Sequence, residues 1–150
     1  MIYQGTARHP VQGIIVHCTD TPADWRLDQP TSAKVAEVRR WHIEERGWKD
    51  IGYHWLIDRD GTIAPGRAET AIGAHVAGHN AGTIGISLFG GKGSGIHDGF
   101  YRHYTSAQDL ALRKLIAAIR LCGGEPMWVN GHNQFDKGKA CPGFWVTDWI

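Results

Sequence analysis

Gly13-Ile14-Ile15-Val16-His17-Cys18 is a short apolar run, rich in β-branched residues and bounded by turn formers, and it reads as a buried strand ending at His17. The Thr19-Asp20-Thr21-Pro22 segment that follows is a loop. Beyond it, Thr31 and Ser32 are N-cap candidates for a helix in which Val35, Val38, Trp41 and Glu45 keep helical spacing, and Gly47 stops it. Tyr53-His54-Trp55-Leu56-Ile57 runs into Asp58-Arg59-Asp60-Gly61-Thr62-Ile63, where Asp-Gly supplies the positive φ of a tight turn, so two antiparallel strands are predicted. After a Gly/Ala/His-rich loop over 73–83, Ile84-Gly85-Ile86-Ser87-Leu88-Phe89 reads as another strand, whose glycines imply close backbone approach. Residues 91–104 carry charges and aromatics without a period and read as a surface loop.

Thr105-x-x-Gln108 forms a capping box, and Leu112, Leu115, Ile116 and Ile119 follow at spacings of three and four before Gly123-Gly124. Met127-Trp128-Val129 is a last strand delivering Gly131-His132. A loop to Pro142 then leads to a short terminal helix with Phe144, Trp145 and Trp149. The pattern is α/β: a mixed central sheet flanked by helices, in a single domain over 1–150. Its 150 residues, 42% of them hydrophobic, are enough for one core and too few for two. Sixteen basic against 15 acidic residues give +1, which argues against nucleic-acid binding by bulk charge. No apolar stretch approaches the ~18 residues of a membrane span, and the first residues do not pattern as a signal peptide. Three widely spaced cysteines do not resemble a disulfide framework and read as reduced thiols.

Side chains fixed at a strand end beside a loop are well placed for chemistry. His17 ends the first strand, His132 follows the last, and Cys141 lies in the loop beyond. Two imidazoles and a thiolate suit Zn²⁺, and three protein ligands leave the fourth tetrahedral position open for catalysis. The same residues also read as a hydrogen-bonded strand-end histidine, a loop histidine and a small buried hydrophobe. Alternatively, Cys141 is the nucleophile of a cysteine hydrolase with His132 as base. Strand alternation turns His54 away from Tyr53 and Cys18 away from His17. Cys122, Trp41, Trp48 and Trp55 read as packing residues, and His9, His79, His97 and His103 as surface groups.

Taken in order, Ile15-Val16-His17-Cys18, Arg40-Trp41-His42, Gly47-Trp48, Gly52-Tyr53-His54, Arg59-Asp60-Gly61-Thr62, Gly66-Arg67, Gly73-Ala74-His75, Ile84-Gly85-Ile86, Gly131-His132 and Lys139-Ala140-Cys141-Pro142 resemble the zinc-dependent N-acetylmuramoyl-L-alanine amidases. That family includes bacteriophage lysozymes of the amidase kind, which the chain resembles most, and the peptidoglycan recognition proteins. The resemblance implies zinc on His17, His132 and Cys141, catalytic roles for Tyr53 and Lys139, and muropeptide contact by His75 and Asn80. It implies cleavage of the amide between N-acetylmuramic acid and L-alanine in peptidoglycan by a monomeric phage endolysin. Such a protein is made in the host cytoplasm and reaches the wall once the membrane is opened, with no wall-anchoring module and no membrane insertion. It also leaves open a muropeptide-binding role, or a phage RNA polymerase as partner. Residues 92–99 and 133–138 match no strong family signature.

Overall fold

The computed structural model describes residues 1–124 and 126–150. Chain order gives β1 (Tyr3–Gln4), β2 (His9–Pro10), β3 (Gly13–Cys18), α1 (Thr31–Arg40), β4 (Trp55–Ile57), β5 (Ile63–Pro65), β6 (Thr83–Leu88), α2 (Phe100–His103), α3 (Ser106–Gly123), β7 (Trp128–Gly131) and α4 (Val146–Trp149). The main sheet has the order β5-β4-β6-β3-β7, with β5 antiparallel to β4 and the other neighbours parallel. This is the mixed sheet flanked by helices that the sequence predicts. The β1–β2 ribbon was not predicted; its two-residue strands are too short to show a period.

Strand β3 is buried along its whole length because the sheet is covered on both faces. Ile14, Val16 and Cys18 share a core with Ile84, Ile86 and Leu88 of β6 and with Leu112, Leu115, Ile116 and Ile119 of α3. Ile15 and His17 therefore face the opposite side, where α1 brings Val35 and Val38 against Ile51, Leu56 and Phe89.

Local chemistry explains the element ends. Thr105 accepts from the Gln108 N–H while the Gln108 side chain reaches back, so the predicted capping box starts α3. Gly61, at φ 88°, closes the β4–β5 turn as Asp-Gly predicts. In α1 the N-cap is Pro30 rather than Thr31, whose hydroxyl instead donates to Asp58. One π turn, Trp41–Glu45, extends that helix.

Residues 91–104 are not all surface loop: α2 lies within them, and Phe100 and Tyr104 enter the core, where the Tyr104 hydroxyl donates to the Pro142 carbonyl at 2.5 Å. Cys122 is exposed rather than packed. His103 is half-buried and bonds Asp98 at 2.8 Å.

Candidate active site

The C-terminal ends of β3 and β7 lie side by side, because Val16 pairs with Gly131. His17 and His132 thus leave adjacent strands at the same level, and their ring centroids are 4.8 Å apart. Cys141 is remote in sequence, and Asn133 brings it in. The Asn133 backbone N–H donates to the Cys141 carbonyl at 2.8 Å, and its buried carboxamide donates to the carbonyls of Ala140 and Phe144. From the other side, the Cys18 N–H donates to Cys141 Sγ at 3.1 Å. Cys18 itself points into the α3 core, as alternation predicts.

Ligand atoms of His17, His132 and Cys141 all lie within 4.8 Å of one another, which no other three His, Cys, Asp or Glu residues manage among those described. Two imidazole nitrogens and a sulfur are the donor set of a zinc site with an open position. Burial is the first cause that holds His17 well below the ordinary imidazole pKa, followed by the nearby His75, His132 and His54. Burial likewise lowers His132. Both rings are therefore neutral at pH 7, the form that ligates metal. The adjacent Cys18 thiol and burial push the Cys141 thiol well above its usual range, and a divalent cation supplies the charge that its thiolate needs.

The orientation of His17 is set from behind. Its Nε2 lies 2.9 Å from His75 Nδ1, leaving its Nδ1 without a hydrogen-bond partner among the described residues. His75 Nε2 lies 3.4 Å from Thr83 Oγ1, whose hydroxyl donates to the His79 carbonyl at 2.6 Å. A His17 that donates from Nε2 to His75 presents Nδ1 as a lone pair, so one chain of bonds selects one tautomer. His75 fits there because position 85 is glycine: a Cβ would sit 2.7 Å from the His75 ring.

A cleft of about 650 Å³ opens over these groups. Tyr53 stands on its wall with its ring 5.3 Å from that of His17, and Lys139 is exposed at its rim. Burial, together with the Cys141 and Cys18 thiols, raises the Tyr53 phenol above its ordinary value, so it keeps its proton. His75 reaches the cleft. Asn80 does not line it; its Oδ1 accepts from the His75 and Val76 N–H groups and shapes the loop behind. Trp41 and Trp48, read from sequence as packing, are half-buried cleft walls, joined by His42, whose Nδ1 accepts from the Gly52 N–H. Helical spacing could not separate a core indole from one at a groove, since both need an inward face. Asn133 gave no signal at all, because a loop tie has no period.

These features have counterparts in known proteins. Residues 7–144 match the family model described as N-acetylmuramoyl-L-alanine amidase. An endolysin of Escherichia phage T7 is 37% identical over 145 residues, covering 95% of this chain and 87% of that one. The chain is 34% identical over 150 residues to a human N-acetylmuramoyl-L-alanine amidase, which it covers to only 24%. Among solved structures, Drosophila PGRP-LB superposes with a TM-score of 0.76 at 30% identity, over 95% of this chain and 78% of that one. The endolysin amidase LysCS of Clostridium intestinale gives 0.71 at 25%, over 93% and 81%.

Proposed function

This chain belongs to the N-acetylmuramoyl-L-alanine amidase family, and we propose that it cuts the muramoyl–alanine amide with one zinc ion held by His17, His132 and Cys141. It is a peptidoglycan amidase, and its phage relatives, matched over most of both chains, make it an endolysin. The observation that carries the zinc reading is the convergence of two neutral imidazoles and a thiol at one end of the sheet.

An amide resists hydrolysis because resonance stabilises its carbonyl and the amine leaves poorly. Zinc, when bound, supplies Lewis-acid polarisation and makes water nucleophilic near neutral pH. The rest falls to the protein. Tyr53, protonated in its buried setting, is a hydroxyl donor on the cleft wall that orients water or the substrate carbonyl. Lys139, two residues before Cys141, places an ammonium group at the rim, where it stabilises negative charge developing on the carbonyl oxygen. His75 holds His17 and offers its edge to the muropeptide, while Asn80 serves binding through the loop it organises. Trp41 and Trp48 supply flat apolar walls that exclude water from one side of the cleft. As an endolysin the protein acts from the host cytoplasm once the membrane is opened; no described helix is long and apolar enough to cross a membrane.

Mass spectrometry of digested sacculi tests the reading. It expects free L-alanine amino termini on released stem peptides and intact glycan strands, with activity lost in chelator and restored by zinc. Full activity in chelator with loss on thiol alkylation would instead assign Cys141 as a nucleophile and overturn the metal role.

A further inference from the structure

Peptidoglycan is a polymer, so the strand whose stem peptide is cut continues beyond the cleft. Resting on the amidase reading, we propose that a second surface, built on Trp128, Phe135 and His79, binds the glycan strand as it leaves the cleft.

The three rings form a continuous stripe. His79 and Phe135 have centroids 4.6 Å apart, and Phe135 and Trp128 5.6 Å. Phe135 ties the stripe to the catalytic groups, since it caps the 3-10 turn that begins at His132, whereas His79 lies beside Trp128 at the hollow, its carbonyl bonded by the hydroxyl of Thr83, which pairs with Gly13. The stripe ends at the opposite end of the strands, because Trp128 pairs with Gly13 in the β3–β7 register. Four residues of strand separate Gly13 from His17, about 13 Å, a span on the order of one disaccharide repeat.

Trp128 is presented like a binding platform. Its indole lies against the Gly13 backbone, where a Cβ would sit 2.2 Å from ring atoms, and it remains 40% exposed. One side of the ring is thus seated on protein, and the indole is still open to solvent. Beside it is a hollow of about 250 Å³, lined also by His9, Gln12 and His79. The side chains of those three make no hydrogen bond among the described residues, which leaves polar groups open around an aromatic ring.

The lining of the hollow contains no Lys, Arg, Asp or Glu, so its contacts are stacking and hydrogen bonding rather than fixed charge. A pyranose has the matching chemistry: its axial C–H groups stack on an indole, and its equatorial hydroxyls bond at the ring's edge. The occupant is therefore the sugar rings of the same strand whose peptide is being cut, met through their C–H faces and hydroxyls, with the lactyl carboxylate that each cut muramoyl group keeps left in solvent.

The test compares a polymeric with a short substrate. Wild type should bind peptide-free glycan strands, read by quenching of tryptophan fluorescence. Trp128→Ala should weaken that binding and raise KM on sacculi by about tenfold, with kcat and KM on a soluble muramoyl-peptide unchanged. Trp128→Phe should restore most of the loss, and Gln12→Ala, whose exposed side chain carries no packing, should show a smaller shift of the same kind. Equal loss on both substrates, or no change on either, overturns the glycan surface. If wild type cuts neither substrate, it is the amidase reading that fails.

Discussion

Lys34 and Asp58 form a buried ion pair that joins α1 to the β4–β5 turn, and its removal should loosen the wall of the cleft. Their N–O distance is 2.6 Å, with side chains only 2% and 7% exposed. At an effective dielectric of ~20 the attraction is about 6 kcal/mol, most of it offset by desolvation of the two ions. Lys34→Met therefore costs little as a lost attraction and much as an unpaired buried carboxylate, typically ~3–5 kcal/mol. The low end applies here, because Asp58 keeps the Thr31 hydroxyl at 2.6 Å and the Arg59 N–H at 2.7 Å. For a chain of this size, about 3 kcal/mol lowers Tm by roughly 6–12 °C. Thermal unfolding followed by circular dichroism measures it. The double variant Lys34→Met with Asp58→Leu should recover more than half of the loss, since no charge is left buried. A single variant within 1 kcal/mol of wild type, or a double variant worse than the single, would refute the reasoning.

Three shorter predictions follow from the site. Lys139→Ala should keep zinc at wild-type stoichiometry and lose on the order of 10²- to 10³-fold in kcat, measured on a soluble muramoyl-peptide. Gly85→Ala should displace His75 and weaken zinc binding by roughly 10- to 100-fold in a chelator competition, although position 85 touches no proposed ligand. Stability should fall on acidification: burial first, then Arg46 and Arg67, hold His42 down at about 4, and burial also lowers His54. The unfolded chain takes up those protons near pH 6.5 and the folded chain does not. For His42 the loss therefore runs from about pH 6.5 down to about 4, at up to ~1.4 kcal/mol per pH unit, and His54 adds to it in the same direction, visible in urea titrations at stepped pH.

How much of this could be read from residues alone depended on the range of the interaction. Strand β3 and helix α3 were readable because an uninterrupted β-branched run and a capping box are local signals. Strand alternation also placed Cys18 correctly, on the far side from His17. The meeting of His17, His132 and Cys141 could only be suspected, since it depends on the β3–β7 pairing and on the Asn133 ties, neither of which has a spacing. Helix α2 escaped notice because four residues carry no helical period, and Phe100 is its only buried residue. Trp41 packs against the core as the sequence predicts, but that it and Trp48 also wall the cleft has no signal in the sequence, because an indole at a groove wall satisfies the same pattern as one in a core.

The central claim is one zinc per chain on two nitrogens and one sulfur. Zinc-edge X-ray absorption on the purified protein, with metal content measured in parallel, addresses it directly. One equivalent is expected, with one sulfur near 2.3 Å and lighter ligands near 2.0–2.1 Å, and both sulfur scattering and metal should be lost in Cys141→Ser. A metal-stripped protein that digests sacculi at the untreated rate, or a zinc shell without sulfur, would contradict it.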